Sequence, residues 1–170
     1  FFIITLFALP LPVNAATKLN KKKLTLNVGQ SYTLKAKGIS DSITWSSSNK
    51  KTATVSTTGI VTANKKGSCK ITAKYKKRKL TCKVTVKQPV TNVSLNKTSV
   101  TLKKGKKITL KVKVNPGNAN NKSLTWKSNN KKVATVSKKG AVKAVGKGIA
   151  KITVSTKDGS KKFAECMIYV

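Results

Sequence analysis

Histidine is absent from the 170 residues, and only Asp41, Asp158 and Glu165 are acidic. Without histidine, the sequence excludes Ser-His-Asp and Cys-His catalysis and histidine-bound metal sites. Glycoside hydrolysis needs two positioned carboxylates, and Asp158 and Glu165 are the only acids that lie close together in the sequence. Asp158 is followed by Gly159, which predicts a hairpin turn, and Glu165 occupies an outward strand position. We therefore predict no catalytic residue, no metal ligand and no bound cofactor.

Cysteine is also scarce, and the three residues Cys69, Cys82 and Cys166 cannot all pair. Small secreted domains that depend on disulfides carry a fuller set of cysteines. If Tyr75 lies opposite Leu80 across a Lys-Lys-Arg-Lys turn, Cys82 is about 13 Å from Cys69, at about 3.3 Å per strand residue. That separation is too long for a disulfide. We therefore expect all three cysteines to be small, buried, apolar side chains.

Arginine and aromatic residues are few, whereas lysine is abundant. The chain has 37 Lys+Arg, of which only Arg78 is arginine, and its formal net charge is +34. Specific nucleic-acid readers use arginine and stacking aromatics, so no specific nucleic-acid partner is predicted. The charge does predict a salt-sensitive attraction to polyanions such as anionic cell-wall polymers or polysaccharide. A simpler interpretation is that the lysines fill outward strand positions and turns, where they discourage aggregation.

A long apolar run opens the sequence at residues 1–12 and is followed by Val13, Asn14 and Ala15. This pattern is typical of the apolar region and cleavage site of a secretory signal peptide, here without its methionine and basic start. We predict that residues 1–15 are a clipped signal peptide, and that the protein is secreted or lies at the cell surface. The alternatives are a buried apolar segment or a membrane anchor. No membrane span is predicted, because a span needs about 20 apolar residues.

The rest of the chain contains an internal repeat. Residues 45–73 and 126–154 are identical at 17 of 29 positions without a gap, which indicates tandem repeats. We assign repeat 1 to residues 17–87, a short linker to 88–92 and repeat 2 to 93–170. The offset between the repeats grows from 76 to 81 residues before the tryptophan, so repeat 2 has gained five residues. The insertion has the composition of a loop.

Apolar residues alternate with lysine and threonine throughout both repeats, which predicts strands with one buried face. Short strands separated by Gly, Asn and Lys turns favour an all-β chain with two tandem antiparallel sandwiches. We expect Trp45 and Trp126 to be central in the two cores. The full set of predicted core residues is Trp45, Trp126, Val55, Val136, Ile71, Ile152, Cys82 and Cys166.

The repeats differ most in two places, and both are candidate contact surfaces. The inserted segment 115–123 carries Asn118, Asn120 and Asn121 on what we expect to be a loop, and loops on rigid sandwiches often carry binding. The outward row of the last strand of repeat 2 includes the apolar residues Phe163, Met167 and Tyr169, where repeat 1 has lysine and threonine. An apolar outer row is a possible binding surface. The alternatives are a local bulge or aromatic rings that cover lysine stems.

The repeated pattern resembles the bacterial Ig-like domain, group 2, which recurs in intimin- and invasin-type surface proteins. Repeat 1 departs from the pattern only mildly, at Thr52 and Cys69. The residues of repeat 2 that carry the resemblance are Trp126, Ser128, Asn130, Val133, Ala134, Thr135, Val136, Ser137, Gly140, Val142, Gly148, Ala150, Ile152 and Thr153. The resemblance implies Ig-like sandwiches that act as tandem modules in adhesins or beside secreted enzymes. Calcium, which some members bind, needs six to eight oxygen ligands with several carboxylates, and this sequence is too poor in acids.

These observations give one leading hypothesis and two alternatives. The leading hypothesis is a non-enzymatic, secreted or cell-surface Ig-like protein that acts in adhesion, with host surface molecules as possible partners, or as a structural spacer. The first alternative is a lysine-rich module that binds anionic wall polymers. The second is an accessory fragment of a larger secreted enzyme. The sequence leaves the oligomeric state open, and a shared fold does not decide among these functions.

Overall fold

The computed structural model describes residues 17–39 and 42–170. The predicted signal peptide and Asp41 lie outside the described residues. The described residues form strands, turns and loops, and none of them belongs to a helix that could cross a membrane. The chain divides into two compact units, and the second begins at Lys87. The all-β prediction is confirmed, because apolar and polar residues alternate with a period of two along the strands.

Repeat 1 contributes nine strands. Their bounds are β1 Lys18–Leu19, β2 Lys23–Asn27, β3 Ser31–Thr33, β4 Ala36–Lys37, β5 Thr44–Ser47, β6 Ala53–Val55, β7 Ile60–Ala63, β8 Gly67–Tyr75 and β9 Arg78–Lys87. They form sheets in the orders β1-β4, β2-β9-β8-β5 and β3-β7-β6. The inward side chains of the four-stranded and three-stranded sheets form one core, as expected of a sandwich.

Repeat 2 has nine strands in the same arrangement. Their bounds are β10 Asn92–Leu95, β11 Ser99–Thr101, β12 Lys107–Thr109, β13 Val112–Asn115, β14 Leu124–Ser128, β15 Ala134–Val136, β16 Ala141–Ala144, β17 Ile149–Thr156 and β18 Phe163–Tyr169. The sheet orders are β10-β13, β11-β18-β17-β14 and β12-β16-β15. The pairing of β11 with β18 is parallel, whereas the other strand pairs of repeat 2 are antiparallel, as predicted. After β10 the chain leaves the edge of one sheet and joins the other beside its last strand, in the same direction.

The core of each repeat is built from small and branched side chains. Ile71 and Cys82 in repeat 1, and Ile152 and Cys166 in repeat 2, are fully buried. Val55 and Val136 are partly buried and pack against these cores. Such residues suit the inner faces of a small sandwich because they fill a thin layer without unpartnered polar atoms.

The two tryptophans lie at the margin of the cores and not at their centres as expected. Trp45 and Trp126 are only partly buried, although each packs against its core. Each ring lies against a glycine in the turn between the following two strands, β6–β7 in repeat 1 and β15–β16 in repeat 2. A Cβ on Gly59 would lie 2.9 Å from Cζ2 of Trp45, and one on Gly140 would lie 2.7 Å from Cζ2 of Trp126. Both glycines have positive φ, so two separate constraints favour glycine there.

The hairpin between β8 and β9 is tighter than the sequence suggested. Tyr75 pairs with Arg78, and Cys82 lies opposite Ile71, so the expected register was wrong by two residues. Lys76 has φ of 47°, and this left-handed conformation closes the turn with two residues instead of four. Cys82 is thereby a diagonal neighbour of Cys69, at about 7–8 Å. All three cysteines are free and buried.

Residues 88–92, expected to be a linker, belong to the second unit. Val90 is 2% exposed and packs with Val93, Ala119 and Val154. The backbone N–H of Thr91 also donates to the carbonyl of Asn115. The segment therefore forms part of the fold of repeat 2.

Candidate binding surfaces

Asp158 holds a turn together. Its carboxylate accepts hydrogen bonds from the N–H of Val90 at 2.7 Å, the N–H of Ser160 at 3.0 Å and the hydroxyl of Ser160 at 2.6 Å. Desolvation raises the pKa of Asp158, but the hydrogen bonds from Ser160, Val90 and Thr156 outweigh it and lower the pKa to about 2. A carboxylate with such a low pKa is a poor proton donor or acceptor near neutral pH. Its role is to join the β17–β18 turn to the segment before β10.

The carboxylate of Glu165, on the outer surface of the sheet, also has an ion-pair partner and a hydrogen-bond donor. It forms an ion pair with Lys151 at 3.1 Å and accepts a hydrogen bond from the hydroxyl of Thr153 at 3.2 Å. Within the described residues, no three His, Cys, Asp or Glu side chains are grouped so that they could hold a metal ion. The two acids of repeat 2 therefore have structural partners.

The buried thiols of Cys82 and Cys166 have little nucleophilic character. Burial raises the pKa of Cys82, with a smaller contribution from Cys69. Burial also raises the pKa of Cys166, although nearby Lys97 partly opposes this. The thiolate is the reactive form of cysteine, so these side chains behave as small apolar residues.

The repeated Trp-Ser-Asn stretch is explained by turn chemistry. Ser128 donates its hydroxyl to the carbonyl of Ala134 at 2.7 Å, and that hydroxyl also accepts from the N–H of Asn130 at 3.2 Å. The side chain of Asn130 accepts from the N–H of Lys132. Ser47 and its neighbours make the same bonds in repeat 1. These polar residues stabilise the turn after the tryptophan strand, so they do not form a pair of ligand sites.

The inserted loop folds back onto repeat 2. Asn118, Asn120 and Asn121 are exposed, but Asn120 accepts a 2.6 Å hydrogen bond from the N–H of Gln88. Asn121 accepts from the N–H of Ser123 at 2.9 Å. Asn120 thus joins the loop to the segment before β10, and Asn121 stabilises the loop itself.

The apolar row on β18 is solvent-exposed and regular. Phe163 is 60% exposed and Tyr169 is 41% exposed, while Met167 is partly buried. The pairing of β17 with β18 runs without interruption from Ser155–Phe163 to Ile149–Tyr169, so the alternative of a bulge is wrong. Ile149 is itself 54% exposed. Apolar side chains thus occupy both ends of this outer face, and Lys151 and Glu165 lie between them.

The equivalent face of repeat 1 carries lysines where repeat 2 has apolar side chains. The sequence predicts these lysines only as residues of outward strand positions and turns. Lys70 lies opposite Lys83, and Lys74 lies opposite Lys79. Between them Thr72 and Thr81 form a hydroxyl-bearing pair, and the outward residues on the adjoining strands are Lys23, Thr25, Thr44 and Ser46. We call Lys22, Lys23, Lys70, Lys74, Lys79 and Lys83 the lysine face. The alternation of lysines was visible in the sequence, but their cross-strand pairing required the register.

A groove of about 420 Å³ lies on this face. Five of the six lysines line it, together with Thr81 and the apolar side chains of Leu19 and Leu80. The groove is partly open to solvent, so a segment of a polymer could enter it.

Searches against known proteins found relatives much longer than this chain. An uncharacterised protein of Clostridium acetobutylicum is 33% identical over 163 residues, which are 91% of this chain and 17% of that protein. Kappa-carrageenase of Pseudoalteromonas carrageenovora is 47% identical over 72 residues, which are 42% of this chain and 18% of the enzyme. The chain therefore spans less than a fifth of the length of either relative.

The chain was also compared with solved structures. The chain aligns with a C-terminal fragment of intimin, solved in complex with the intimin-binding domain of its translocated receptor, at 19% identity and a TM-score of 0.49. The alignment covers 91% of this chain and 63% of that one. A family model for the bacterial Ig-like domain (group 2) matches residues 15–86 and 89–165. This chain belongs to the bacterial Ig-like domain (group 2) family and contains two tandem copies of the domain.

Proposed function

We propose that this chain is a non-enzymatic, secreted or cell-surface Ig-like module that adheres to anionic polymers. The observation that carries the proposal is the pairing of lysine with lysine across the outer sheet face of repeat 1. Like charges directly opposite each other destabilise a sheet. A polyanion that lies over them removes this repulsion and releases its counterions, so binding is favourable.

The other charges and the family support the same proposal. The net charge of +34 attracts polyanions from a distance. The two described acids, Asp158 and Glu165, are already hydrogen-bonded or ion-paired, so they neutralise little of the lysine excess. Bacterial Ig-like modules in large proteins are suited to attachment because they hold exposed sheet faces on a stable core.

The proposal is tested by retention on bacterial walls. The two-repeat chain is mixed with walls that carry teichoic acid and with the same walls after chemical removal of that polymer. We expect retention only on the untreated walls at about 0.1 M salt, and release at about 1 M salt, where the Debye length falls from about 10 Å to about 3 Å. Equal retention on stripped walls, or retention that ignores salt, would contradict electrostatic adhesion.

A structural spacer or accessory module is the second candidate function. It is favoured by the 47% identity to a 72-residue stretch of an enzyme more than five times as long as that stretch. In that case the chain would separate or position another domain. Fusing the two-repeat chain to a reporter enzyme tests this: a spacer leaves polymer affinity unchanged, whereas adhesion raises the affinity of the fusion for walls. The exposed apolar row is the surface to test first against host surface molecules.

A further inference from the structure

The outer faces of the two four-stranded sheets differ at equivalent positions. In repeat 2 the equivalents of the lysine face are Thr98, Ser99, Lys151, Ser155, Phe163 and Met167. The backbone supports this alignment, since the N–H of Lys83 donates to the carbonyl of Lys22 and the N–H of Met167 donates to that of Thr98. Six lysines are thus replaced by one, and that one is paired with Glu165. The two repeats therefore differ strongly in the positive charge that they carry on this face.

Among the described residues of repeat 1, the lysine face has no acidic counter-charge. Residues 17–39 and 42–87 contain no acidic residue, so no described side chain of repeat 1 can neutralise these ammonium groups. All six lysines are exposed. Their repulsion is lowest when an external anion bridges the pairs Lys70–Lys83 and Lys74–Lys79.

The shape of the face indicates what kind of anion fits. The lysine pairs are four residues apart along the strands, or about 13 Å at 3.3 Å per residue. A single small anion cannot span that distance, whereas a chain with repeated charges can. The groove adds the exposed hydroxyl of Thr81, whereas Leu19 and Leu80 at its base pack against the core. A hydroxyl among ammonium groups can hydrogen-bond polyol or sugar units between the charges.

We propose that the lysine face of repeat 1 is a binding site for a linear glycopolymer that carries phosphate or sulfate esters, and that repeat 2 lacks this site. This inference rests on the proposed function, because it says where the anionic polymer binds. Lysine ammonium groups contact the ester oxygens, and the groove holds the uncharged units between them. The geometry favours such a polymer over nucleic acid because no exposed aromatic ring lies among the residues that line the groove.

The test compares two variants with the same loss of charge. In the face variant, Lys22, Lys23, Lys70, Lys74, Lys79 and Lys83 are changed to Gln. In the control variant, six exposed lysines of repeat 2 are changed to Gln, namely Lys103, Lys104, Lys106, Lys131, Lys132 and Lys147. The probes are poly(glycerol phosphate) teichoic acid, κ-carrageenan, neutral dextran and single-stranded DNA, each titrated against the two-repeat chain at about 0.15 M salt.

We expect the face variant to lose at least about tenfold in affinity for the teichoic acid or the κ-carrageenan, and the control variant to lose less than about threefold. Comparing the two polymers distinguishes a phosphate source from a sulfate source. Changing the same six lysines to Arg should restore binding, because it keeps the charge. Circular dichroism melts check that every variant is folded.

The possible outcomes separate this inference from the proposed function. If the wild-type chain binds neither charged glycopolymer, the proposed function is overturned. If it binds and both Gln variants weaken equally, adhesion by overall charge stands and the localised site is overturned. Tighter binding of DNA than of either charged glycopolymer would overturn the choice of ligand.

A gain of binding in repeat 2 gives an independent test. Ser99→Lys, Phe163→Lys, Glu165→Thr and Met167→Lys together recreate most of the lysine face on β11 and β18. Combined with the face variant, these changes should recover at least about half of the lost binding free energy. A folded graft that recovers no affinity would show that the arrangement of lysines on this sheet does not form the site.

Discussion

Repeat 1 and repeat 2 have the same nine strands in the same sheet order, but the outer faces of their four-stranded sheets differ. Repeat 1 presents paired lysines and threonines, whereas repeat 2 presents apolar residues around a Lys151–Glu165 ion pair. The inner faces are similar, with Ile71 and Cys82 opposite each other in one repeat and Ile152 and Cys166 in the other. Packing restricts inner residues to a narrow range of volumes, while outward residues can change with little effect on stability. The two repeats therefore share one fold but differ in the outer surface of the four-stranded sheet.

The substitutions with the largest expected effect on stability replace the two tryptophans, and they test whether the two cores depend on this residue to the same degree. We expect Trp45→Ala and Trp126→Ala each to lower the free energy of unfolding of its own repeat by about 3 kcal/mol, at the lower end for tryptophan because the rings are partly exposed. Since each repeat has one tryptophan, the remaining fluorophore reports the other repeat, and circular dichroism reports the altered one. Melts of both variants within a degree or two of wild type would show that the rings are not needed.

The glycines under the tryptophans should give the next largest effect. Gly59→Ala and Gly140→Ala combine a left-handed backbone with a Cβ only 2.5 Å and 2.8 Å from the carbonyl oxygens of Leu34 and Leu110. We expect each to cost about 2–3 kcal/mol, from backbone strain and overpacking together. Gly105→Ala is the matched control, because it has φ of +84° with nothing within 4 Å and should cost only about 1 kcal/mol. Urea unfolding measures all three, and equal losses would mean that the close contacts with the carbonyl oxygen and the ring do not matter.

Acid should affect the stability of repeat 2 through a group that repeat 1 lacks. The pKa of Asp158 is lowered from 3.8 to about 2 in the folded chain, so its contribution is present above about pH 4 and is lost as the pH falls through 2. We expect Asp158→Ala to destabilise repeat 2 by about 1–2 kcal/mol at pH 7, and the difference from wild type to shrink towards pH 2. Unfolding is followed by Trp126 fluorescence between pH 2 and pH 7 in a Trp45→Phe background.

Asp158→Asn is the control for this experiment, because it keeps one acceptor oxygen but removes the titrating group. Its stability should not depend on protonation at position 158. The equivalent turn in repeat 1, at Lys76 and Lys77, has no acid. A difference between Asp158→Ala and wild type that stays constant down to pH 2 would contradict the lowered pKa.

The smallest expected effect on stability comes from adding a carboxylate to the lysine face of repeat 1 or removing the carboxylate from the equivalent face of repeat 2. Thr81 occupies the position of Glu165, so Thr81→Glu brings a carboxylate among the lysines of repeat 1. We expect the free energy of unfolding to rise by about 0.3–0.5 kcal/mol, and polyanion binding to weaken at the same time. Glu165→Thr should have the reverse effect on stability in repeat 2. Chemical denaturation at low salt measures both, and a loss of stability in Thr81→Glu would show that the paired lysines do not repel each other appreciably.

The alternation of apolar and polar residues predicted much of the fold, but it did not predict which residues lie opposite each other or pack together. The sequence indicated the two repeats, the strands and the buried positions of Ile71 and Ile152. It misplaced the β8–β9 register because a two-residue turn depends on the left-handed conformation of Lys76, which lysine rarely adopts. It also treated residues 88–92 as a linker, since the packing of Val90 depends on Ala119 and Val154, which are distant in the sequence.

The sequence by itself determined the family, the duplicated strand pattern, the excess of lysine and the side of each strand that meets water. The tertiary structure decided which lysines lie opposite each other, where the groove lies and how the apolar row is arranged. The physical reason is that strand periodicity places a side chain on a face, whereas the turns and the hydrogen-bond register choose its neighbours across the sheet. The contrast between the lysine face and its counterpart in repeat 2 depends on those neighbours.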